Sequence, residues 1–142
     1  MTFYDKLLDD REGLRSLAKK KSRKKGSRVF ILDDDIDDIM IAQDIIHGGG
    51  YRTKAADKPA EFLGQYHRND IGLLLCDIRM PQMDGIGVIS ALSEGGLPII
   101  AWSAVYPSPS EADFLQINGV PFFLKGDHKN ILLGMVDSMM GI

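Results

Sequence analysis

The chain has 142 residues, 44% of them hydrophobic, with a net charge of -3 and one cysteine. It contains no apolar run near the roughly 18 residues of a membrane span, and its first residues, MTFYDKLLDDREG, hold no signal-peptide hydrophobic segment. We therefore expect a cytoplasmic protein built on one globular domain, in which Cys76, within the apolar run LLLC, is a buried hydrophobic residue.

An asymmetry of charge divides the chain near Gly26. Residues 1–28 contain ten Lys or Arg and four acids, a net +6, whereas residues 29–142 contain seven and sixteen, a net -9. We expect a basic N-terminal extension over 1–27, helical or partly disordered, and a domain over 28–142. The extension combines apolar residues at helical spacing with the run KKKSRKK. A solvated tail, a docking helix and a basic patch for nucleic acid or an anionic membrane all remain open.

The domain alternates short apolar runs with helical patterns. Strands are predicted at 29–32, 51–55, 71–76, 98–102 and 120–124. Four of these runs are almost continuously apolar, which is typical of parallel strands buried on both faces, whereas YRTKA at 51–55 is more polar and suits an edge. Helices are predicted around 39–46, 62–66, 86–92, 110–118 and 128–140. The pattern indicates an α/β fold of five βα units, with helices on both faces of one sheet.

Reactive side chains follow four of the predicted strands. Asp33 and Asp34 follow the first strand, Asp77 the third, Ser103 the fourth and Lys125 the fifth. Open α/β sheets place their ligands at the carboxyl ends of the strands. Three carboxylates crowded there need a cation, and an oxygen-only ligand set favours Mg²⁺. The sequence therefore predicts a metal site at this edge.

The remaining acids near these strand ends have a structural interpretation. Asp35 or a neighbour can cap the first helix, and Asp37 and Asp38 lie in its first turn, where the helix dipole favours negative charge. Asp84, before Gly85, is interpreted as the cap of a later helix rather than as a ligand.

Four motifs stand at these strand ends: the acid pair after the first strand, CDIRMPQMDG around Asp77, WSA with Ser103, and FFLK with Lys125. Together they resemble the receiver domain of bacterial two-component response regulators. The resemblance covers about 29–140. It implies a flavodoxin-like fold, in which five helices flank a doubly wound, five-stranded parallel sheet of order 2-1-3-4-5. The periodicity of the sequence does not give that strand order.

The resemblance also implies roles for single residues. Asp77 would accept a phosphoryl group from a histidine kinase or a phosphotransfer protein. Mg²⁺ would be held directly by Asp34, Asp77 and the backbone carbonyl of Arg79, and by Asp33 largely through water. The protein would be no enzyme beyond assisting its own phosphorylation and dephosphorylation.

A second group of residues would respond to the phosphoryl group. Lys125 and the backbone of Ala104 would contact it, as would Ser103. Ser103 and Phe122 would act as the switch pair that alters a partner-binding surface on the fourth helix, fifth strand and fifth helix. No motif that reads DNA bases is present, so no specific DNA binding is expected.

Three positions depart from the family pattern. Gly126 follows Lys125 where the family usually has proline, so a trans peptide bond is expected. Arg79 and Val105 occupy positions that influence phosphoryl lifetime in the family.

The predicted fifth helix runs almost to Ile142, which suggests a stand-alone receiver or one excised from a longer protein.

Three other functions stay open from the residues alone. ILDDD satisfies the D-x-D motif of haloacid dehalogenase-type phosphatases, with Asp33 as nucleophile and Asp35 as acid/base. Asp33, Asp35, Asp37 and Asp44 occupy positions of an EF-hand-like calcium loop, although Asp38 stands where that loop needs glycine. The chain could also be a receiver-shaped adaptor that is never phosphorylated.

Overall fold

A computed structural model describes residues 28–65, 71–81, 84–92 and 95–141. The basic extension predicted over 1–27 lies outside the described residues. The strands are β1 (Arg28–Leu32), β2 (Arg52–Ala56), β3 (Ile71–Asp77), β4 (Ile99–Ser103) and β5 (Phe122–Leu124). The helices are α1 (Ile36–Gly48), α2 (Pro59–Gln65), α3 (Gly85–Leu92), α4 (Pro109–Ile117) and α5 (Lys129–Met140).

The five strands form one parallel sheet in the order β2-β1-β3-β4-β5. This confirms the doubly wound α/β fold and the strand order that the resemblance implied. β2 lies at an edge, as its polar sequence predicted, with Arg52 and Lys54 exposed. Because β1 and β3 are neighbours, the chain segments that carry Asp33 and Asp77 leave the sheet side by side.

Each face of the sheet has its own hydrophobic core, because successive side chains of a strand point to opposite faces. In β1, Phe30 and Leu32 pack with residues of α2, α3 and α4, while Val29 and Ile31 pack with residues of α1 and α5. Cys76 is fully buried in the first of these cores, as predicted. Burial raises the pKa of its thiol far above the ordinary range, so it remains a neutral core side chain.

The strands differ from the prediction mainly at their ends. β3 extends by one residue and β4 lies one residue later than predicted, so Asp77 and Ser103 are the last residues of their strands. β5 is shorter than the predicted 120–124, because the Val120 amide donates to the Leu115 carbonyl at 2.8 Å and so closes the end of α4.

Local capping fixes where helices begin. The Asp35 carboxylate accepts from the Asp37 and Asp38 amides at 2.9 and 3.4 Å, which confirms it as the cap of α1. Asp84 accepts from the Ile86 amide at 3.1 Å at the start of α3, consistent with its predicted role as a cap. None of the helices in the described part of the chain has the length and apolar character needed to cross a membrane.

Candidate functional site

The parallel sheet brings the predicted site residues to one edge. Asp33 and Asp34 follow β1, Asp77 and Ser103 end β3 and β4, and Lys125 follows β5. These four strands are adjacent, so their carboxyl ends lie in a row. Among the described residues, three polar or charged residues are buried: Asp33, Asp77 and Ser103, with exposed fractions of 0%, 3% and 1%. The burial of three polar groups at one point marks this edge as the candidate site.

Three carboxylates form a possible cation site. Asp33, Asp34 and Asp77 each offer an oxygen atom, and these atoms all lie within 4.8 Å of one another. Asp33 and Asp77 are buried, whereas Asp34 is exposed and opens the cluster to solvent. A cluster of oxygen donors that is accessible from one side fits Mg²⁺, which binds few carboxylates and keeps several waters.

Lys125 supplies positive charge to the same cluster. Its Nζ lies 2.7 Å from Asp33 Oδ2 and 3.1 Å from Asp77 Oδ2. It also lies 2.9 Å from Asp38 Oδ2 and 4.7 Å from the centre of the Trp102 ring. The contact with Asp38 was missed by the sequence analysis, which placed this residue only in the first turn of α1.

The pKa values of Asp33 and Lys125 are both raised, but for different reasons. Burial raises the pKa of Asp33 to about 7, although the hydrogen bond from Lys125 opposes that change. Burial disfavours the charged form of Lys125 too, but its hydrogen bonds to Asp33 and Asp38 prevail and hold its pKa above the ordinary value. Lys125 therefore stays cationic, while protonation of Asp33 near neutral pH would compete with any metal ion that bound there.

Asp77 is held by the loop that follows it. The Arg79 amide donates to Asp77 Oδ1 at 2.8 Å, and the Ile78 amide donates to the Trp102 carbonyl at 3.2 Å. Gly85 packs directly against this loop, because a Cβ atom there would lie 2.1 Å from the Asp77 carbonyl oxygen and 2.6 Å from Ile78 Cα. Only glycine allows α3 to begin so close to the end of β3.

Ser103 and Phe122, the predicted switch pair, lie on the neighbouring strands β4 and β5. Ser103 Oγ accepts from the Val105 amide at 3.1 Å, and the Ser103 carbonyl accepts from the Lys125 amide at 2.8 Å. Ala104, the next residue, is exposed. Phe122 is half-buried on β5, with its ring centre 6.1 Å from that of Tyr106.

A tight turn follows Lys125. Gly126 has a φ of +90°, and the Asp127 amide donates to the Leu124 carbonyl at 3.1 Å. Proline is fixed near -65° and could not take this conformation. The described residues contain no cis peptide bond, so the trans bond predicted before Gly126 is confirmed.

Arg79 also reaches α4 through its side chain. Nη2 and Nη1 donate to the two carboxylate oxygens of Glu111 at 2.8 and 3.1 Å, and Nη2 lies 3.4 Å from the Tyr106 carbonyl oxygen. Glu111 in turn forms a capping box with Ser108 at the start of α4. The sequence pattern Ser108-x-x-Glu111 is a signal for that box, whereas nothing in the sequence indicates the link to Arg79.

An apolar groove of about 800 Å³ lies between α4, β5 and α5. Its lining includes Leu115, Val120, Phe122, Ile131, Met135 and Met139. Phe122 therefore lines the groove from β5, three residues before Lys125.

Comparison with known sequences identifies similar proteins. The model of the response regulator receiver domain family matches residues 29–137. The response regulator protein TodT of Pseudomonas putida is 30% identical over 114 residues, and the transcriptional regulatory protein ZraR of Escherichia coli is 26% identical over 99. These matches cover 79% and 68% of this chain, but only 50% and 22% of the two relatives. The chain thus spans half or less of the length of these relatives.

Solved structures show the same fold. A CheY-like receiver domain protein from Methanospirillum hungatei superposes with a TM-score of 0.73 at 23% identity, covering 81% of this chain and 94% of that one. The chemotaxis protein CheY4 of Vibrio cholerae gives 0.70 at 19% identity, covering 80% and 98%.

Proposed function

The chain belongs to the response regulator receiver domain family, and on that premise we propose that Asp77 is a phosphoacceptor that takes a phosphoryl group from a histidine kinase or a phosphotransfer protein. One observation carries the proposal. Asp77 combines a carboxylate cluster within 4.8 Å with a lysine Nζ 3.1 Å from its Oδ2. The Asp77 carboxylate, as the proposed nucleophile, thus lies beside both the possible cation ligands and the positive charge of Lys125.

The reaction is a transfer between two nucleophiles. An Asp77 carboxylate oxygen attacks phosphorus as the bond from phosphorus to the donor's imidazole nitrogen breaks. The imidazole leaves with that electron pair and gains a proton, and a mixed carboxylic-phosphoric anhydride forms on Asp77. Because both reactants are anionic, positive charge around the transferring group lowers the barrier.

The protein residues divide that work among them. Mg²⁺, when bound, neutralises charge on the phosphoryl oxygens. Asp34, Asp77 and the backbone carbonyl of Arg79 would hold it directly, and Asp33 would hold it largely through water. Lys125 adds a second cation as a point charge on a flexible stem. The backbone amide of Ala104, an exposed residue, would donate to a phosphoryl oxygen.

The response would begin at Ser103. Its Oγ would leave the Val105 amide and hydrogen-bond to the phosphoryl group, drawing the loop after β4 inward. Phe122 would then change its packing and alter the groove of α4, β5 and α5, where a protein target would dock. Phosphorylation thereby biases a two-state surface, and the output belongs to the partner. The domain would be a signalling module that does not turn over external substrates. We also expect it to act in the cytoplasm.

Intact-mass spectrometry tests the proposal directly. The full chain is incubated with Mg²⁺ and a small acyl phosphate, beside Asp77→Asn, Asp84→Asn and a sample with EDTA. We expect one phosphoryl adduct that is absent from Asp77→Asn and from the EDTA sample. Asp84→Asn, which removes an exposed carboxylate from the same loop, should retain the adduct.

Other results would point to the alternative functions. No adduct in the wild type, together with no binding of fluoroberyllate, would indicate an adaptor that is not phosphorylated. Steady hydrolysis of a phosphomonoester by Asp77→Asn would indicate a phosphatase using Asp33. The structure gives that phosphatase no support, because Asp35, its acid/base, caps α1. The EF-hand alternative is also unsupported, because Asp37 and Asp44 lie within α1.

A further inference from the structure

Arg79 joins the phosphoacceptor to α4 through two different parts of one residue. Its backbone amide donates to Asp77 Oδ1 at 2.8 Å, while its guanidinium contacts both carboxylate oxygens of Glu111. Asp77 and Glu111 lie on different elements, at the end of β3 and in the first turn of α4. A change at Asp77 therefore has a direct physical connection to the first turn of α4.

Glu111 is held in place independently of Arg79. Its Oε1 accepts from the Ser108 amide at 2.8 Å, and its own amide donates to Ser108 Oγ at 3.3 Å. The Glu111 side chain is 16% exposed, whereas that of Arg79 is 45% exposed. The carboxylate is thus a fixed acceptor, and the arginine side chain is the partner that is able to move.

We propose that Glu111 is a positioning residue that holds the Arg79 guanidinium on α4 in the unphosphorylated protein, and that a phosphoryl group on Asp77 competes with Glu111 for that guanidinium. This inference rests on the proposed phosphorylation of Asp77. A partly exposed ion pair is weak and easily exchanged. A phosphoryl group carries about -1.5 to -2 charge, and guanidinium binds phosphate in a bidentate manner.

Exchange of partners would release one connection and keep another. When Arg79 turns to the phosphoryl group, the loop after β3 loses its link to α4. The Ser108–Glu111 capping box does not involve Arg79, so the helix stays folded while becoming free to shift. This exchange would accompany the movement of Ser103. Ser103 lies at the start of the loop between β4 and α4, whereas the exchange would act at the end of that loop, where α4 begins.

A double-mutant cycle on phosphorylation rate tests the exchange. Glu111→Gln removes the charge that holds Arg79 but keeps an amide oxygen for the Ser108 amide. We expect it to accept phosphate from a small acyl phosphate roughly two- to fivefold faster than the wild type, the range that a partly exposed ion pair permits. The gain should disappear in the Arg79→Gln background, and it should shrink at high salt, where the ion pair is already screened.

Ser108→Ala is the matched control, since it removes the hydroxyl of the capping box and leaves the Arg79–Glu111 pair. It should not accelerate phosphorylation. Equal rates for Glu111→Gln and the wild type, or an equal gain with and without Arg79, would overturn the inference. Thermal unfolding of each variant checks that it is folded, and a misfolded Glu111→Gln would be replaced by Glu111→Asp, whose shorter side chain should weaken the pair in the same direction.

The Asp77→Asn protein separates this inference from the proposed function. If its adduct disappears while Glu111→Gln has no effect, the phosphoacceptor stands and the exchange does not. If Asp77→Asn is still modified, the proposed function fails, and the exchange fails with it.

Discussion

Lys125 contacts one more carboxylate than the phosphoacceptor site needs. Besides Asp33 and Asp77, its Nζ lies 2.9 Å from Asp38 Oδ2, on the first turn of α1. A lysine that turns toward a phosphoryl group must weaken this contact. We expect Asp38→Asn to be phosphorylated roughly two- to fivefold faster than the wild type, because the competing carboxylate of a partly exposed pair is removed. Time-resolved intact-mass spectrometry measures the rate.

Asp37→Asn is the matched control for that variant. It removes the same charge from the same turn, but Asp37 is not among the carboxylates in contact with Lys125. A general loss of negative charge would accelerate both variants equally, and that result would contradict the specific role of Asp38.

Asp33 makes the stability of the metal-free protein depend on pH. Its pKa is raised from 3.8 to about 7 on folding, chiefly by burial. The folded carboxyl therefore keeps a proton that the unfolded chain releases. The stabilisation that Asp33 adds to the free energy of unfolding is complete below pH 3.8 and is lost as the pH rises through about 7. We expect urea unfolding in EDTA to give a free energy about 1–3 kcal/mol lower at pH 8 than at pH 5.

Asp33→Asn and Mg²⁺ each test the origin of that dependence. The variant cannot titrate at this position, so its free energy of unfolding should change less between the two pH values. Mg²⁺ should restore stability mainly at the higher pH, where the carboxylate is ionised. A pH profile that is the same in the wild type and in Asp33→Asn would exclude Asp33 as the cause.

The sequence placed the main site residues but not their extra partners. Asp33, Asp77 and Lys125 could be predicted, because parallel strands end at one edge and each of them follows an apolar run. Asp38 and Glu111 could not, because their contacts join positions 87 and 32 apart in sequence and depend on side-chain conformation. Its place in the first turn of a helix was enough to explain Asp38, and no feature of the sequence indicated that Glu111 contacts Arg79.

Among the elements, α3 depends on the closest backbone approach in the site. A Cβ at Gly85 would lie 2.1 Å from the Asp77 carbonyl oxygen. We expect Gly85→Ala to push the start of α3 away from β3, to lower the free energy of unfolding by about 1–3 kcal/mol, and to slow phosphorylation. Chemical denaturation and intact-mass spectrometry measure the two effects.

Gly87→Ala makes the same chemical change two residues later. A methyl group added at Gly87 would have no neighbouring atom within 4 Å and would meet open space. Alanine there should stabilise α3 by about 0.5–1 kcal/mol through helix propensity and leave phosphorylation unchanged. If both variants behaved alike, the close approach at Gly85 would not explain the effect.

Element boundaries show where pattern gives way to three-dimensional packing. The alternation of strand-like and helical patterns located all five strands, yet β5 begins at Phe122 rather than at 120, because the Val120 amide donates to the Leu115 carbonyl at the end of α4. The turn at Gly126 follows the same logic. Its φ of +90° explains why glycine stands there, and the sequence alone indicated only that proline is absent.

At the scale of the whole molecule, the strand order joins the two halves of the proposed mechanism. β1 and β3 are neighbours and bring the carboxylates together, while β4 ends at Ser103, β5 is followed by Lys125, and the two strands lead to α4 and α5. Alternation of helices and strands predicts a parallel sheet, but the order 2-1-3-4-5 came from the family resemblance. Hydrophobic pattern does not report which buried strands are neighbours.

The charge asymmetry of the chain gives a last expectation, about residues 1–27. The family match begins at residue 29, and the two hydrophobic cores formed by the described residues begin at Val29 and Phe30. We therefore expect a protein that starts at residue 28 to unfold within about 3 °C of the full chain and to be phosphorylated at the same rate, since a domain's stability comes from its own core. Differential scanning calorimetry and intact-mass spectrometry measure both properties.

The same truncation should abolish binding to polyanions. It removes nine Lys or Arg and four acids, and leaves eight basic and sixteen acidic residues. The full chain should bind duplex DNA without sequence preference, with an affinity that falls steeply as salt rises, because such binding releases counterions from phosphates.

The stability measurement has an outcome that would contradict the boundary at residue 28. A melting temperature lowered by more than about 5 °C on truncation, a shift that corresponds to roughly 1 kcal/mol, would show that the extension packs on the domain and would move the boundary toward the N-terminus.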